Sequence, residues 1–354
     1  EIVIAVGHKK DTVIDYLTLA YPERKFTFVE VDKFSGPGSG PGYSLLACKK
    51  HLQSPFIFST ADTIVLEDIP PPNENWMGIA PVHETEPYCT VKIKNNLVFQ
   101  LDDKIKTNNK FAFIGLAGIH DYKEFFRSLE QNIELHKNEL QMVTGFKGLL
   151  ERKLISTGFT WFDTGTLANY LETNRNFSGG EQKFDFSKGD EFLYFVNGRV
   201  IKFFADRLVT DKRQHRATNS LRGLTPPIEG HRGHFYSYLK VPGSTVYSAL
   251  SPKLMQDFLD WAAKNLWTRA KLTPEEEKKF AEACNDFYYH KTKKRLQAFR
   301  AKTNMAEEPP LINDISVPNT DELIDAVDWK YITSGVPSNF HGDLQFDNVL
   351  VWKD

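Results

Sequence analysis

The stretch with the most chemistry in it is Phe340-His341-Gly342-Asp343-Leu344-Gln345-Phe346-Asp347-Asn348-Val349-Leu350-Val351. Phosphoryl transfer to a hydroxyl needs a carboxylate to orient the hydroxyl and take its proton, and an amide oxygen to hold magnesium against the phosphates. Asp343 and Asn348 supply those two groups at a spacing that lets one tight loop present both before the apolar run Val349 to Val351. A second pair of carboxylates stands in the first half of the chain. Asp62 follows the apolar run Pro55 to Thr60, and Asp163 sits in Trp161-Phe162-Asp163-Thr164-Gly165-Thr166. Moving a nucleotidyl group onto a phosphate monoester needs magnesium clamped by carboxylates, and such groups gather at strand ends in open α/β sheets. Helix or turn capping is the bland alternative for each aspartate. Two further features suit phosphate. Lys202, amid the apolar strand Arg199 to Phe204, is placed to reach the α- and β-phosphates of ATP, or else to snorkel from an edge strand. The Gly/Pro run Gly36 to Gly42 leads into a helix, so the backbone at Gly40 and Gly42 can approach a base or phosphate closely.

These residues need a scaffold, and the pattern around them supplies one. Glu1 to Gly7 is a β-rich apolar run that enters a helix at Asp11 to Leu19; Phe26 to Val31, a helix from Tyr43 to His51 and a buried strand at Pro55 to Thr60 continue the alternation. The first half therefore reads as α/β with a mostly parallel sheet. The polar, Gly-rich stretch 173–182 reads as a linker between a first domain over 1–172 and a second that divides into 183–249 and 250–354. Asn197-Gly198 between two apolar runs predicts a hairpin. Leu254, Phe258, Leu259 and Ala262 share a helical face, and Thr273-Pro274-Glu275-Glu276 predicts a capping box with Pro at the first helical position.

Composition narrows the partners. A chain of 354 residues with net charge -2 holds two or three domains and does not call for nucleic acid. No apolar run reaches the roughly 20 residues of a membrane span. Three cysteines, Cys48, Cys89 and Cys284, stand far apart with no metal-site spacing and are read as structural, which suits the cytoplasm.

On these residues the chain resembles two families. His341 to Val351 closely resembles the catalytic loop of the aminoglycoside phosphotransferase and choline kinase family, a two-lobed protein-kinase-like α+β fold. That resemblance implies Asp343 as the catalytic aspartate, Asn348 as a magnesium ligand with Asp343 beside it, His341 as the brace of the loop and Lys202 as the ATP-phosphate lysine. It also places Ser187 and Gly189 in the phosphate-covering loop and Tyr238 in the adenine-binding strand and hinge. Ser59 to Val65 and Trp161 to Thr166 resemble the Rossmann-like sugar-phosphate nucleotidyltransferases. By that likeness Asp62 and Asp163 are the metal carboxylates, Lys104 contacts the substrate phosphate where relatives have Glu-Lys-Pro, and Glu139 contacts the sugar. The first strand and triphosphate loop of that family are expected before Glu1, and the second metal aspartate of the kinases after Asp354.

Together the resemblances imply a bifunctional enzyme using Mg2+, ATP and a second NTP, with CTP favoured. It would phosphorylate a small alcohol and convert the phosphate to an NDP-activated precursor for surface polysaccharide or lipid decoration. A choline-like amino alcohol and a sugar both remain open, as do a catalytically degenerate nucleotide-binding protein and a sugar-1-phosphate transferase with a scaffold kinase domain. Aromatic residues such as Trp261, Trp267, Phe287, Tyr288 and Tyr289 form either a cage for a quaternary ammonium or plain helical core. Oligomeric state is not legible.

Overall fold

The computed structural model describes residues 1–131, 135–136, 138–177, 189–303 and 311–352. They form a mixed α/β protein of two compact units, one comprising Glu1–Thr210 with Glu229–Ser237 and the other Asp211–Ile228 with Tyr238–Asp354.

In the first unit β1 (Ile2–Val6) leads into α1 (Lys10–Ala20), and β2 (Phe26–Glu30) returns parallel to β1. There follow α2 (Pro41–Cys48), β3 (Phe56–Ser59), β4 (Thr63–Val65), β5 (Trp76–Pro81), β6 (Cys89–Lys94), β7 (Leu97–Asp103), β8 (Phe111–Ile119) and α3 (Tyr122–Gln131). Then come β9 (Leu135–His136), β10 (Glu139–Leu140), α4 (Val143–Lys147), β11 (Ile155–Gly158), β12 (Trp161–Asp163) and α5 (Leu167–Phe177). Six strands make one sheet in the order β3-β8-β5-β11-β7-β6.

The expected mostly parallel sheet is corrected by this topology. Within the six-stranded sheet only β5 and β11 run parallel; β3 with β8, β8 with β5, β11 with β7 and β7 with β6 are all antiparallel. One of these pairings has a local cause. Asn95 and Asn96, at φ 51° and 62°, close β6 onto β7 through a two-residue turn. A link this short forces antiparallel pairing, because a parallel return needs a crossover of a dozen or more residues.

β8 is buried along nearly its whole length because both faces of the sheet are covered. Its residues Phe113, Ala117 and Ile119 pack on one side with Met77, Phe125, Phe126, Leu129 and Phe146, a cluster shared with α3 and α4. Ile114 and Leu116 point to the other side, with Trp76, Ala80 and Phe159. Gly118 lets β5 and β8 approach: a methyl there would lie 2.5 and 2.6 Å from Cε2 and Cδ1 of the Trp76 indole, which is 3% exposed. Gly118→Ala is therefore expected to cost about 1–3 kcal/mol by overpacking, read as a lower denaturant midpoint.

The sequence's hairpin forms as expected. β13 (Glu191–Val196) and β14 (Arg199–Phe204) meet across Asn197 (φ 48°) and Gly198 (φ 71°), and β15 (Gly230–Arg232) and β16 (Phe235–Leu239) complete a sheet ordered β13-β14-β16-β15. Ile201 and Phe235 are buried against Leu19 and Ala20 of α1, so the first unit extends well past α5. The stretch expected as a linker begins inside α5, which runs to Phe177; residues 178–182 lie outside those described.

α6 (Arg207–Thr218) carries the division between the units. The second unit contains β17 (Ser244–Thr245), α7 (Val246–Ala249), α8 (Pro252–Asn265), α9 (Pro274–Asn285) and α10 (Lys291–Thr303), the last two joined by a π-helical turn at Asp286–His290. β18 (Leu311–Ile312), β19 (Ile315–Ser316), α11 (Thr320–Asp325), α12 (Trp329–Thr333) and β20 (Leu350–Val351) complete it. Ser251 caps α8 by accepting from the Leu254 N–H at 3.2 Å, and the predicted capping box opens α9: Thr273 N–H donates to Glu276 Oε2 at 2.8 Å while Glu276 N–H donates to Thr273 Oγ1 at 3.4 Å. Among the described residues no helix is long and apolar enough to cross a membrane, and all three cysteines are buried and free.

Candidate functional site

The two first-half aspartates converge. β4 and β12 pair antiparallel with Asp163 opposite Thr63, which sets Asp62 and Asp163 at one end of the same ribbon. Thr164 fixes the turn by donating its N–H (2.9 Å) and its hydroxyl (3.0 Å) to the Asp62 carbonyl oxygen. Gly165 lies between the carboxylates. A Cβ placed on it would be 3.1 Å from Asp163 Oδ1 and 3.2 Å from Asp62 Oδ2. The site is braced on its far side as well, where the Gly115 carbonyl of β8 accepts from Thr60 N–H at 2.8 Å and the Ile114 carbonyl accepts from the Thr63 hydroxyl.

The two carboxylates are held differently. Asp163 is half-buried and accepts from Gly165 N–H (2.8 Å), Asn169 Nδ2 (2.8 Å) and the Tyr88 hydroxyl (3.1 Å). Asp62 is exposed, and its carboxylate has no hydrogen bond or ion pair among the described residues. One oriented and one open carboxylate make a hard oxygen donor set that fits magnesium, which keeps waters and phosphate oxygens as its remaining ligands. Among the described residues no group of three or more His, Cys, Asp and Glu is arranged to hold a metal, so such an ion would rest on this pair and its substrates.

Tyr88 and Asn169 were not singled out in the sequence. Tyr88 lies 75 residues from Asp163 and no local pattern links them, whereas Asn169, in the first turn of α5 just after the Trp-Phe-Asp segment, is a polar residue that a capping argument would have found. Burial, then the neighbouring Asp163 charge and hydrogen bond, then Glu84, hold the Tyr88 phenol above its usual pKa. Tyr88 also ties in Lys104, whose N–H donates to the Tyr88 carbonyl at 3.0 Å and whose backbone adopts φ 51°. A cleft of about 520 Å³ opens beside Asp163, lined by His83, Glu84, Tyr88, Trp161, Phe162, Asn169, Glu172 and Asn176 among others.

The Gly-rich run and Glu139 meet each other. Gly38 N–H donates to the Asn138 carbonyl at 2.6 Å, and Leu140 N–H donates to the Ser39 carbonyl at 2.7 Å. Gly40 (φ 116°) precedes Pro41 at the first position of α2, and a Cβ on it would meet Leu140 O at 2.8 Å and Glu139 Cβ at 3.1 Å. Gly42 abuts the same carbonyl. A flexible linker would show no such ladder. Glu139 accepts from Gln141 Nε2 at 3.0 Å.

In the second unit, Asp343 and Asn348 share one loop. Asn348 Nδ2 donates to the Asp343 carbonyl oxygen (2.9 Å) and to Asp343 Oδ2 (3.2 Å), which leaves Asn348 Oδ1 with no hydrogen bond among the described residues. The loop is anchored at both ends: Leu344 packs on Leu221, Ala262 and Leu266, and β20 pairs with β17. Arg216, missed in the sequence, brings Nη1 to 2.7 Å from where a Gly342 Cβ would stand. His341 is half-buried in the same loop. Lys202 faces Leu193 in the hairpin of the first unit, Tyr238 lies on β16, Gly189 opens the turn into β13, and Ser187 lies outside the described residues. The aromatic residues around the π-helical turn already have lysines over them, Lys291 at 4.2 Å from the Phe287 ring and Lys293 at 5.0 Å from Tyr289.

No protein-family model matches the chain, and no curated protein matches it. Among solved structures, a protein assigned as a glucose-1-phosphate thymidylyltransferase of Bacillus anthracis is 17% identical, covers 53% of this chain and 78% of its own, and has a TM-score of 0.43. The nucleoside-diphosphate-sugar pyrophosphorylase of Vibrio cholerae (14%, 49% and 80%, 0.40) and the inositol-1-phosphate CTP transferase of T. maritima (13%, 50% and 77%, 0.39) are similar to the same degree. At such scores the likeness says nothing of what this chain does, and the residues of the site carry that question.

Proposed function

We propose that the first unit transfers a nucleotidyl group from an NTP, CTP favoured, to the phosphate of a small phosphorylated alcohol. The observation that supports this is the convergence of Asp62 and Asp163 about Gly165. In the step, an acceptor phosphate oxygen bonds to the α-phosphorus as the bond to the β-phosphate oxygen breaks, and pyrophosphate leaves with the electron pair. The two aspartates hold magnesium, which when bound offsets charge on the phosphates. Asn169, Tyr88 and Gly165 keep Asp163 oriented before substrate arrives. Glu139 and Lys104 contact the acceptor, and Tyr88 joins the Lys104 turn to Asp163; the nucleotide-facing role expected of Gly40 and Gly42 is not carried over, because both pack against the Leu140 carbonyl and Gly42 is buried.

The second part of the proposal is that the Asp343 loop phosphorylates the parent alcohol. Asp343 takes the hydroxyl proton as the γ-phosphoryl passes from ATP to the hydroxyl oxygen and ADP leaves, and Asn348 Oδ1 and Asp343 would hold magnesium. The Asn348 to Asp343 hydrogen bonds support this reading. The product would be an NDP-activated alcohol for surface polysaccharide or lipid decoration, made in the cytoplasm.

Magnesium-dependent pyrophosphate release, with each of the four NTPs and a panel of phosphorylated acceptors, tests the first activity; ATP-dependent phosphorylation of the parent alcohols tests the second. Asp343→Ala, at an exposed position, is expected to lower phosphorylation by at least about a hundredfold while sparing pyrophosphate release. Loss of both activities together would count against two separate sites.

A further inference from the structure

Resting on the reading of the Asp343 loop as a phosphorylating site, a residue outside every motif acquires a role there. The last turn of α6 and the chain just after it hold the loop on both sides of Asp343. On one side lies Arg216, whose Nη1 and Cζ stand 2.7 and 3.6 Å from where a Cβ on Gly342 would be. On the other side Leu221, 3% exposed, packs on Leu344. Leu221 N–H donates to the Arg216 carbonyl at 2.9 Å, so both grips belong to one turn. Gly342 adopts φ 87°, and its lack of a side chain is what admits the guanidinium. A cation placed only to balance Asp343 would pair with it, and Arg216 does not. It is half-buried, and among the described residues its guanidinium has no hydrogen bond or ion pair, while the Asp343 carboxylate accepts from Asn348 alone. The negative end of the helix accounts for a basic last turn, which also holds the exposed His215, but not for a guanidinium laid on Gly342. A half-buried fork of donors without an anion favours the oxygens of a phosphate. Its place beside the base selects the phosphate at which the hydroxyl attacks. We propose that Arg216 is a catalytic residue of this site, its guanidinium donating to the γ-phosphoryl oxygens of ATP while Asp343 takes the hydroxyl proton. The hydroxyl oxygen bonds to the γ-phosphorus, the bond to the β,γ-bridging oxygen breaks, and ADP leaves with the electron pair. Arg216 stays protonated throughout and offsets charge on the oxygens in transfer.

The test measures the affinity of the full chain, with magnesium, for adenylyl imidodiphosphate, which keeps a γ-phosphoryl group, and for ADP, which lacks one. Arg216→Ala is expected to weaken the first by about tenfold or more and the second by less than about twofold. With choline, ethanolamine and glucose as acceptors, kcat for ATP-dependent phosphorylation is expected to fall about a hundredfold or more, and added guanidinium ion is expected to restore part of it. Arg216→Lys keeps a cation at the end of α6 and separates that contribution from the chemistry. It is expected to hold the wild-type thermal midpoint and still lose about tenfold in kcat, because an ammonium cannot make the paired donation of a guanidinium. Equal loss of affinity for both nucleotides, or wild-type kcat in Arg216→Ala, overturns the assignment and leaves Asp343 as the base of a phosphorylating loop. A wild-type chain that binds neither nucleotide overturns both.

Discussion

Asp62→Asn is expected to lower magnesium-dependent pyrophosphate release about a thousandfold while moving the thermal midpoint by no more than about 2 °C. The two halves of that result have separate origins. The Asp62 carboxylate has no hydrogen bond among the described residues and is exposed, so the fold gives up almost nothing when its charge is removed. Its contribution appears only when a dication and phosphates are present, and losing several kcal/mol of charge stabilisation there corresponds to about three powers of ten. Asp163 makes the contrast. It accepts three hydrogen bonds, so Asp163→Ala is expected to lose activity and stability together. If Asp62→Asn kept most of the activity, the two-carboxylate metal site would be wrong.

Asn75→Ala is expected to cost about 3–5 kcal/mol, read as a shift in denaturant midpoint with the slope unchanged. Asn75 is 3% exposed and makes four bonds. Its Nδ2 donates to Asp121 Oδ2 (2.7 Å) and the Arg152 carbonyl (3.3 Å), and its Oδ1 accepts from the His120 and Asp121 N–H groups, each at 2.9 Å. One side chain thus pins the entry of β5, the exit of β8 and the segment before β11. Alanine leaves these part-buried groups without their partner, and each lost bond costs about 1–3 kcal/mol before relaxation. Asn75→Asp is expected to be nearly as damaging, since an oxygen would then face two oxygens. A loss under about 1 kcal/mol would mean that water reaches the site.

Features set by neighbouring residues were legible before the fold was known. The Asn197-Gly198 turn and the Thr273 capping box depend on a few consecutive side chains, and each forms where the sequence puts it. The sheet's direction was not legible, because the hydrophobic runs that mark β5 and β8 are the same whichever way the strands pair. The informative signal is Asn95-Asn96, a turn pair at positive φ. The meeting of Asp62 with Asp163 lay between these cases. Nothing local joins residues so far apart, and only the resemblance put them together; the β4 to β12 register shows the physical link. Tyr88, Glu84 and Arg216 had neither a local pattern nor a motif to mark them.

The burial of Ile201 and Phe235 against Leu19 and Ala20 bears on how the chain can be divided. The hairpin sheet takes its apolar lining from the first helix of the chain, about 180 residues upstream in sequence. Contacts over that separation close late in folding, since the long loop must be gathered before they form. A cut in the polar stretch after Phe177 would leave α1 with a bare stripe and the hairpin with no partner for its inner face. The two pieces would then have to find one another again by complementation, so neither is an autonomous folding unit, and a cut at α6 would part Phe235 from Leu19 in the same way.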